Sequence, residues 1–289
     1  MTMKTNKKRP FALSVPSPFG LIRTLIIIAA VLAAILPFWW LTAASLRTGN
    51  LYSDGWSALF PEHLTLEYYK KLILSQERLP LLRFLANTAF YCAVGVFLEL
   101  FLASLAAYPL ARLDFKGKGL VTFVLIAVLA LPGQANAIIN FTTVRSLGLY
   151  DTVWGVILPG AVSVFAILLL RQAFAEISTE LEDAARLDGC GEWQIFTNVC
   201  LPLTRPTQAA VALFAFTANW NSFLWPLVVL KTADKYPLSV GLAYLASSFD
   251  SDFRVVAAGS VLAAIPMIVF FLAIQKEFIK GITAGALKG

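Results

Sequence analysis

The chain has 289 residues, of which 58% are hydrophobic and only 14% are charged, and its mean hydropathy is +0.74. A soluble domain carries about a quarter charged residues, so this composition argues against a water-soluble protein. The single histidine, His63, and the three cysteines, which lack CxxC spacing, argue against histidine-based catalysis, a zinc centre and a disulfide framework.

The apolar residues fall into six long runs. A helix needs about 20 mostly apolar residues to cross a bilayer, and all six runs are near or above that length. The predicted spans are residues 21–46, 84–110, 120–141, 153–170, 207–230 and 255–274. The sequence therefore predicts an all-α integral membrane protein with six transmembrane helices in one domain, residues 21–289, after an N-terminal tail of residues 1–20.

The N-terminal tail is basic, which bears on both the first span and the orientation. Lys4, Lys7 and Arg9 precede the first run, as they do in a secretory signal, but the run is too long for one and has Trp39 and Trp40 at its far end. We therefore expect an uncleaved span. The net charge is +6. Basic residues that flank the membrane explain this charge, so it does not indicate nucleic-acid binding. These residues are in modest excess on the side of the tail, which predicts that both termini are cytoplasmic.

The segment between the first two spans is predicted to contain a surface helix. Thr65 is placed to cap it, and an apolar stripe of Leu66, Tyr69, Leu72 and Ile73 lies opposite charged residues. Such a helix lies along the membrane surface or packs on neighbouring spans, and one hypothesis is that it receives an external binding protein.

An acidic loop separates the fourth and fifth predicted spans. Five carboxylates lie within thirteen residues, and such a loop cannot lie in lipid, so we expect an aqueous docking element at one face of the membrane. Gly189 permits a sharp turn between two short helices. Trp193, Phe196 and Cys200 then share helical spacing, and Pro202 and Pro206 are expected to end the second helix and begin the next span.

The spacing of this loop resembles the EAA loop of permease subunits in ATP-binding-cassette (ABC) importers. Asp183-Ala184-Ala185 is followed after three residues by Gly189 and after nine more by VCLP at 199–202. Asp183 stands where that family usually has Glu, and Cys190 where Ala is common. The resemblance implies a type I importer fold with a coupling loop at about 175–206 that contacts an ATPase. The implied coupling residues are Glu182, Asp183, Ala184, Ala185, Asp188, Gly189, Leu201 and Pro202.

Further landmarks, in order along the chain, resemble the sugar-importer branch and its maltose-type second permease. They are ILPFWWLTAASLR at 35–47, LTLEYYKKL at 64–72, ANTAF at 86–90, AAYPLARLDFKGK at 106–118, LGLYDT at 147–152, NWNSFLWPL at 219–227 and KGITAGALKG at 280–289. This implies a sugar permease of the bacterial inner membrane. Its implied partners are a second permease, a dimer of cytoplasmic ATPases and an extracytoplasmic binding protein.

The chain lacks the sequence that would let it hydrolyse ATP itself. No GxxxxGK[ST] occurs, so we expect this chain to bind no cofactor and the partner ATPase to use ATP and magnesium. One alternative is a secondary transporter driven by an ion gradient, but only Glu99 lies deep in a span. A membrane-embedded enzyme is a third hypothesis, although Ser104, Ser163 and Ser260 have no His, Asp or Lys partner in their own spans.

Polar residues at membrane depth are candidates for a substrate path. Asn219, Trp220 and Asn221 fall in the fifth span, while Asn136 and Asn140 share a face beyond the Pro132-Gly133 break in the third. Amides and aromatic rings suit sugar hydroxyls and sugar faces, although such residues also join helices to one another.

Glu99 is the sixth candidate for the path, and two interpretations of it stay open. Either it faces the path or the partner permease, or it is a protonated carboxyl hydrogen-bonded within the bundle.

Overall fold

The computed structural model describes residues 18–48, 59–61, 63–74, 81–130, 136–247 and 252–286. These residues are almost entirely helical and include no strand, only an isolated bridge between Arg47 and Leu64. The helices are α1 Pro18–Leu46, α2 Glu67–Leu74, α3 Leu81–Arg112, α4 Lys118–Leu129, α5 Asn136–Ser146, α6 Val153–Ile157, α7 Val164–Ala175, α8 Thr179–Leu187, α9 Glu192–Gln194, α10 Leu201–Leu203, α11 Arg205–Trp220, α12 Leu224–Val229, α13 Leu238–Ser247 and α14 Phe253–Ala286. Short 3₁₀ turns cover Leu158–Gly160 and Ala233–Lys235, and a π-helix covers Ile195–Cys200.

Three continuous helices in the described part are long and apolar enough to cross a membrane: Gly20–Leu46, Leu81–Arg112 and Phe253–Lys276. Two bent pairs raise the number to five if each pair is one span. Val153–Gly160 meets Val164–Ala175 at 47°, and Glu192–Leu203 meets Arg205–Trp220 at 75°. The all-α membrane fold is therefore confirmed, with three to five candidate spans against the six predicted.

The third predicted span accounts for the difference in number. Residues 120–141 are divided between α4 and α5, and the break predicted at Pro132-Gly133 lies outside the described residues. The 12 residues of α4 rise only about 18 Å, whereas the hydrocarbon core of a bilayer is about 30 Å thick. Neither helix alone meets the length of a span.

The fourth and fifth predicted spans are not continuous helices, for local chemical reasons. Pro159 lies in the 3₁₀ turn after α6, and the Ser163 hydroxyl then caps α7 by accepting a hydrogen bond from the Ala166 N–H at 3.2 Å. In the fifth, α11 ends at Trp220 and α12 begins only at Leu224. Pro202 does not end the second helix of the coupling loop as expected but lies within α10, after the π-helix.

Helix α3 lies at the centre of the packing. Its C-terminal half shares an apolar cluster with α7, α8 and the π-helix, in which Phe174, Ile195 and Cys200 are fully buried. Its N-terminal half shares a second cluster with α2, α11, α13 and α14, which includes Phe84 and Trp220. One helix therefore contributes to the core at both ends of the bundle.

The predicted surface helix is present as α2, and the Thr65 hydroxyl accepts a hydrogen bond from the Glu67 N–H at 3.2 Å, as expected of a cap. The predicted apolar stripe was partly wrong. Tyr68 and Leu72 are buried, while Leu66 and Ile73 are exposed. Tyr68 is buried in the apolar cluster that includes Leu72 and Phe84, and the Arg254 guanidinium lies over its ring, 4.9 Å from the centroid.

The close approach at Gly155 generates a test of this packing. A Cβ added there would lie 2.3 Å from the Leu149 carbonyl oxygen, so Gly155→Ala forces the backbone apart and should lower the free energy of unfolding by about 1–3 kcal/mol. Gly160→Ala is the matched control, because nothing lies within 4 Å of a Cβ at Gly160. Thermal unfolding of the purified protein in detergent measures both, and equal melting temperatures would contradict the packing described.

Candidate coupling loop and translocation path

The first helix of the coupling loop, α8, has a capping signal at each end. The Ser178 hydroxyl accepts a hydrogen bond from the Glu180 N–H at 3.3 Å, and Arg186 lies in the last turn, where a cation is favoured. The helix ends in the glycine turn predicted from the sequence: Gly189 has φ +83°, and the Gly189 N–H donates to the Arg186 carbonyl at 3.0 Å. This left-handed conformation explains why a glycine is needed there.

The carboxylate of Glu182 points into the protein. Its Oε1 lies 2.7 Å from Arg112 Nε, and the two side chains are only 4% and 8% exposed. The Cys200 thiol lies 3.5 Å from the same oxygen, and Arg112 also donates to the Ile177 carbonyl. A buried charge needs a partner of this kind, because removing an ion from water costs several kcal/mol. Glu182 therefore joins α8 to the end of α3.

Arg186 connects three carboxylates of the loop, those of Glu182, Asp183 and Glu192. Its guanidinium lies 3.0 Å from Asp183 Oδ1 and 3.0 Å from Glu192 Oε1, and 3.5 Å from Glu182 Oε2. The Tyr108 hydroxyl, on α3, donates to the other oxygen of Glu192 at 3.0 Å. The segments before and after the glycine turn are thus both tied to α3.

The structure divides the predicted coupling residues into two groups. Asp183, Ala184, Asp188 and Gly189 are exposed, while Glu182 and Ala185 lie on the buried face of α8, and Leu201 and Pro202 are half-buried in the next helix.

Three residues that the sequence analysis did not assign to the site complete it: Tyr108, Arg112 and Arg186. The first two lie in the AAYPLARLDFKGK landmark, which is a signal that could have identified them.

The candidate path residues of the fifth span have different surroundings. Asn219 donates to the Ala215 carbonyl at 2.8 Å and lies against Gly95 of α3, where an added Cβ would come within 3.0 Å of its Oδ1. Asn221 is exposed at the break after α11 and donates to the Thr217 carbonyl at 2.9 Å. Trp220 is buried, and its Nε1 donates to the Ala263 carbonyl at 3.1 Å, so it joins α11 to α14.

The other three candidates lie on different helices. Asn136 and Asn140 are half-buried on α5, which packs against α12. Glu99 is buried on α3 and lies close to the Ser163 hydroxyl, at the break that precedes α7. Both interpretations of its role stay predictions.

At the end of α3 opposite the coupling loop, polar side chains hold the 231–238 loop. Asn87 donates to the carbonyls of Asp234 and Tyr236, at 2.8 and 3.0 Å, and the Tyr91 hydroxyl donates to the Lys235 carbonyl at 2.7 Å. The Thr88 hydroxyl accepts from the Leu238 N–H at 2.7 Å. These contacts give the ANTAF landmark a physical role.

Asp151, in the 147–152 loop, holds the same 231–238 loop from the other side. It has φ +55°, and its carboxylate accepts from the Lys231 and Thr232 N–H groups at 3.0 and 3.1 Å and pairs with Lys235 at 3.1 Å. Burial alone would raise the pKa of Asp151, but these bonds and the one from the Thr232 hydroxyl outweigh it and hold that pKa well below its usual range.

The helical membrane fold and the solvent-facing acidic loop fit a permease subunit of an ABC importer, and comparison with known proteins shows that this is the class of the protein. Residues 99–279 match the family described as binding-protein-dependent transport system inner membrane component. The chain belongs to this family. A permease subunit of this kind is not itself an enzyme.

Curated relatives cover most of the chain. The arabinooligosaccharides transport system permease protein AraQ of Halalkalibacterium halodurans is 35% identical, over 89% of this chain and 92% of its own length. The lactose transport system permease protein LacG of Rhizobium radiobacter is 32% identical, over 87% and 90%. A crystal structure of a bacterial ABC transporter involved in the import of the acidic polysaccharide alginate has a chain with TM-score 0.82 and 28% identity, over 93% of this chain and 100% of that one.

The Asp151 contacts predict a pH-dependent stability. The lowered pKa means that the stabilisation is complete above the unfolded-state pKa of about 4 and is lost as the pH falls through the folded-state pKa. Asp151→Asn should therefore lower the free energy of unfolding by about 1 kcal/mol, a small value because the site is partly solvated. This difference from the wild type should be constant between about pH 5 and pH 8.

Thermal unfolding across this pH range measures the difference. Asp234→Asn is the control, because Asp234 lies in the same 231–238 loop but its pair with Arg83 is long, at 3.4 Å, and exposed. A wild type no more stable than Asp151→Asn at pH 7 would contradict the role of the carboxylate.

Proposed function

We propose that this chain is the translocation subunit of an importer for an oligosaccharide, and that the exposed face of α8 docks into the partner ATPase. The names of relatives support the oligosaccharide substrate, because arabinooligosaccharides, lactose and diacetylchitobiose are all short sugars. The geometry of the coupling loop supports the second part. ATP and magnesium belong to the ATPase in this proposal, and this chain binds neither.

The substrate class is tested by uptake. The alginate importer carries an acidic polymer, whereas the arabinooligosaccharide and lactose systems carry neutral sugars. Membrane vesicles that contain the complete importer and its binding protein should accumulate a radiolabelled oligosaccharide from a panel of arabinotriose, lactose, diacetylchitobiose and an alginate trisaccharide. Uptake of none of these, with normal uptake of an amino acid or an inorganic ion through the same importer, would contradict the assignment.

The docking of α8 is supported by how its surface is divided. The buried face of α8 packs against the π-helix and is paired with Arg112 of α3, so a partner can reach only the face that carries Asp183, Ala184 and Asp188. The small side chain of Ala184 allows a partner groove to approach closely. The Asp183 carboxylate is exposed, and its surface pair with Arg186 can be exchanged for a basic residue of the ATPase.

Substitutions at Asp183 and Gly189 test this docking. Asp183→Ala should weaken association with the ATPase by about 2–5 kcal/mol, as for a desolvated charge pair. Gly189→Val should strain the left-handed turn by about 1–3 kcal/mol and misplace α8. Both variants should still insert in the membrane, because neither side chain lies in the buried core.

Pull-down of the ATPase, together with sugar uptake, measures both effects. Gly191→Ala is the matched control: its φ is −78°, and an added Cβ would meet only Gln194 Oε1 at 3.9 Å. Wild-type pull-down and uptake in both Asp183→Ala and Gly189→Val would contradict the docking role of α8.

We place the importer in the bacterial inner membrane, with a second permease, an ATPase dimer and an extracytoplasmic binding protein as partners. In this topology both termini and the coupling loop face the cytoplasm, and the 231–238 loop faces outward. Reporter fusions test it: a phosphatase fused after residue 289 should be inactive and a fluorescent protein there should be bright. An active phosphatase at that position would overturn both the topology and the cytoplasmic docking of α8.

For the sugar path we propose walls formed by Asn219 and Asn221, with Asn136 and Asn140 from α5. Asn221 is exposed where α11 ends, and the half-buried side chain of Asn219 lies against the small residue Gly95. Trp220 does not belong to this set, because its indole N–H is bonded within the bundle. Glu99, which lies close to the Ser163 hydroxyl at the break before α7, is placed beside this path.

A further inference from the structure

Helix α8 is attached to the rest of the protein by far more than its chain connections. Buried Glu182 meets Arg112 of α3 at 2.7 Å, and Arg112 also holds the Ile177 carbonyl just before α8. Beyond the glycine turn, Glu192 accepts a hydrogen bond from Tyr108 of α3 at 3.0 Å. These contacts lie on both sides of α8, and all of them end on the last two turns of α3.

The burial of the Arg112–Glu182 pair makes this attachment rigid. Moving α8 along α3 would separate the two charges inside the protein, where water cannot replace either partner. Removing one partner of such a buried pair costs several kcal/mol. The pair therefore resists sliding, whereas an exposed pair such as Asp183–Arg186 can be exchanged for water at little cost.

Helix α3 then extends this rigid unit across the protein. Its 32 residues rise about 48 Å, and its first turns hold the 231–238 loop through Asn87 and Tyr91. A displacement of α8 therefore reaches the opposite end of the bundle along one helix, which contains Pro109 in its last turn and continues to Arg112.

We propose that Arg112 and Glu182 are positioning residues that make α8 and α3 move as one body when the ATPase closes. The proposal rests on the docking of α8 described above. Neither residue touches the substrate or the ATPase in this scheme. Their role is to convert a movement of the docking helix into a movement of α3 and of the loop bound at its far end.

A spin-label distance measurement on the complete importer tests the proposal. Nitroxides are attached at Leu82→Cys, on the first turn of α3, and at Thr179→Cys, on the first turn of α8, which are both exposed, after the native cysteines are replaced. In the wild-type background, the distance between the two nitroxides is measured in the ADP state and in the state trapped with ATP and vanadate. The two values should differ by less than about 5 Å, which is one helical turn. Arg112→Met should broaden the distribution or shift it by more than this amount.

Lys118→Met is the matched control, because Lys118 donates to the Leu113 carbonyl at the same end of α3 but touches no part of α8. Its distances should remain those of the wild type. A second variant separates positioning from simple packing: Arg112→Met with Glu182→Met removes both charges, and a buried pair replaced in this way commonly leaves a folded protein. Its distances should still broaden, since the direct contact between α8 and α3 is lost and only the Tyr108–Glu192 hydrogen bond beyond the glycine turn remains.

Two results would overturn the proposal. One is a wild-type distance that shifts by more than about 5 Å between the two nucleotide states. The other is a double variant with the wild-type distribution, which would mean that packing alone joins α8 to α3. Failure of the docking role has a different signature, because the ATPase would then remain bound to Asp183→Ala and Gly189→Val.

Discussion

The buried pair between Arg112 and Glu182 determines where the coupling loop lies, and much of the rest follows from it. A loop rich in carboxylates has no reason to pack against an apolar bundle, and most of its charges face solvent. The Glu182 carboxylate lies inside the protein, 2.7 Å from the Arg112 guanidinium of α3. This contact determines which face of α8 is buried. The opposite face, with Asp183 and Ala184, is left for a partner. The pair therefore decides the surface that α8 presents.

The same end of α3 shows how the bundle satisfies a helix terminus at the membrane boundary. The last carbonyls of a helix have no intrahelical donor and carry partial negative charge. Arg171 of α7 donates to the Leu110 carbonyl at 3.2 Å, and Lys118 of α4 donates to the Leu113 carbonyl at 3.0 Å. Cations from two neighbouring helices thus converge on this end. They stabilise it and bring together the elements that surround the coupling loop.

The two ends of α3 use different chemistry. The end near the coupling loop depends on charges, whereas the end near the 231–238 loop depends on neutral side chains, Asn87, Thr88 and Tyr91, bonded to backbone groups. Between them the buried Glu99 lies close to Ser163 at the break before α7, so the middle of α3 lies beside a discontinuous span. Helix breaks at membrane depth are tolerated where side chains satisfy the freed backbone groups, as the Ser163 cap does.

The sequence by itself determined the class of protein and the position of the acidic loop between helices. Apolar runs specify spanning helices because lipid offers no partner for backbone groups, and an acidic segment between them must be in water. The turn at Gly189 was equally predictable, since a glycine between two helical segments supplies a left-handed residue. Thr65 as a cap followed from local chemistry in the same way.

Only the tertiary structure decided which face of each element is buried. The sequence placed Glu182 among the docking residues, but its partner Arg112 lies 70 positions earlier, and no local pattern pairs the two. Trp220 was expected in the sugar path and instead bonds to the Ala263 carbonyl, because α14 packs there. The breaks in the fourth and fifth spans were missed because hydropathy measures how apolar a segment is and not whether its helix is continuous. Local rules describe what a residue can do, and contacts between distant segments select which of those options is used.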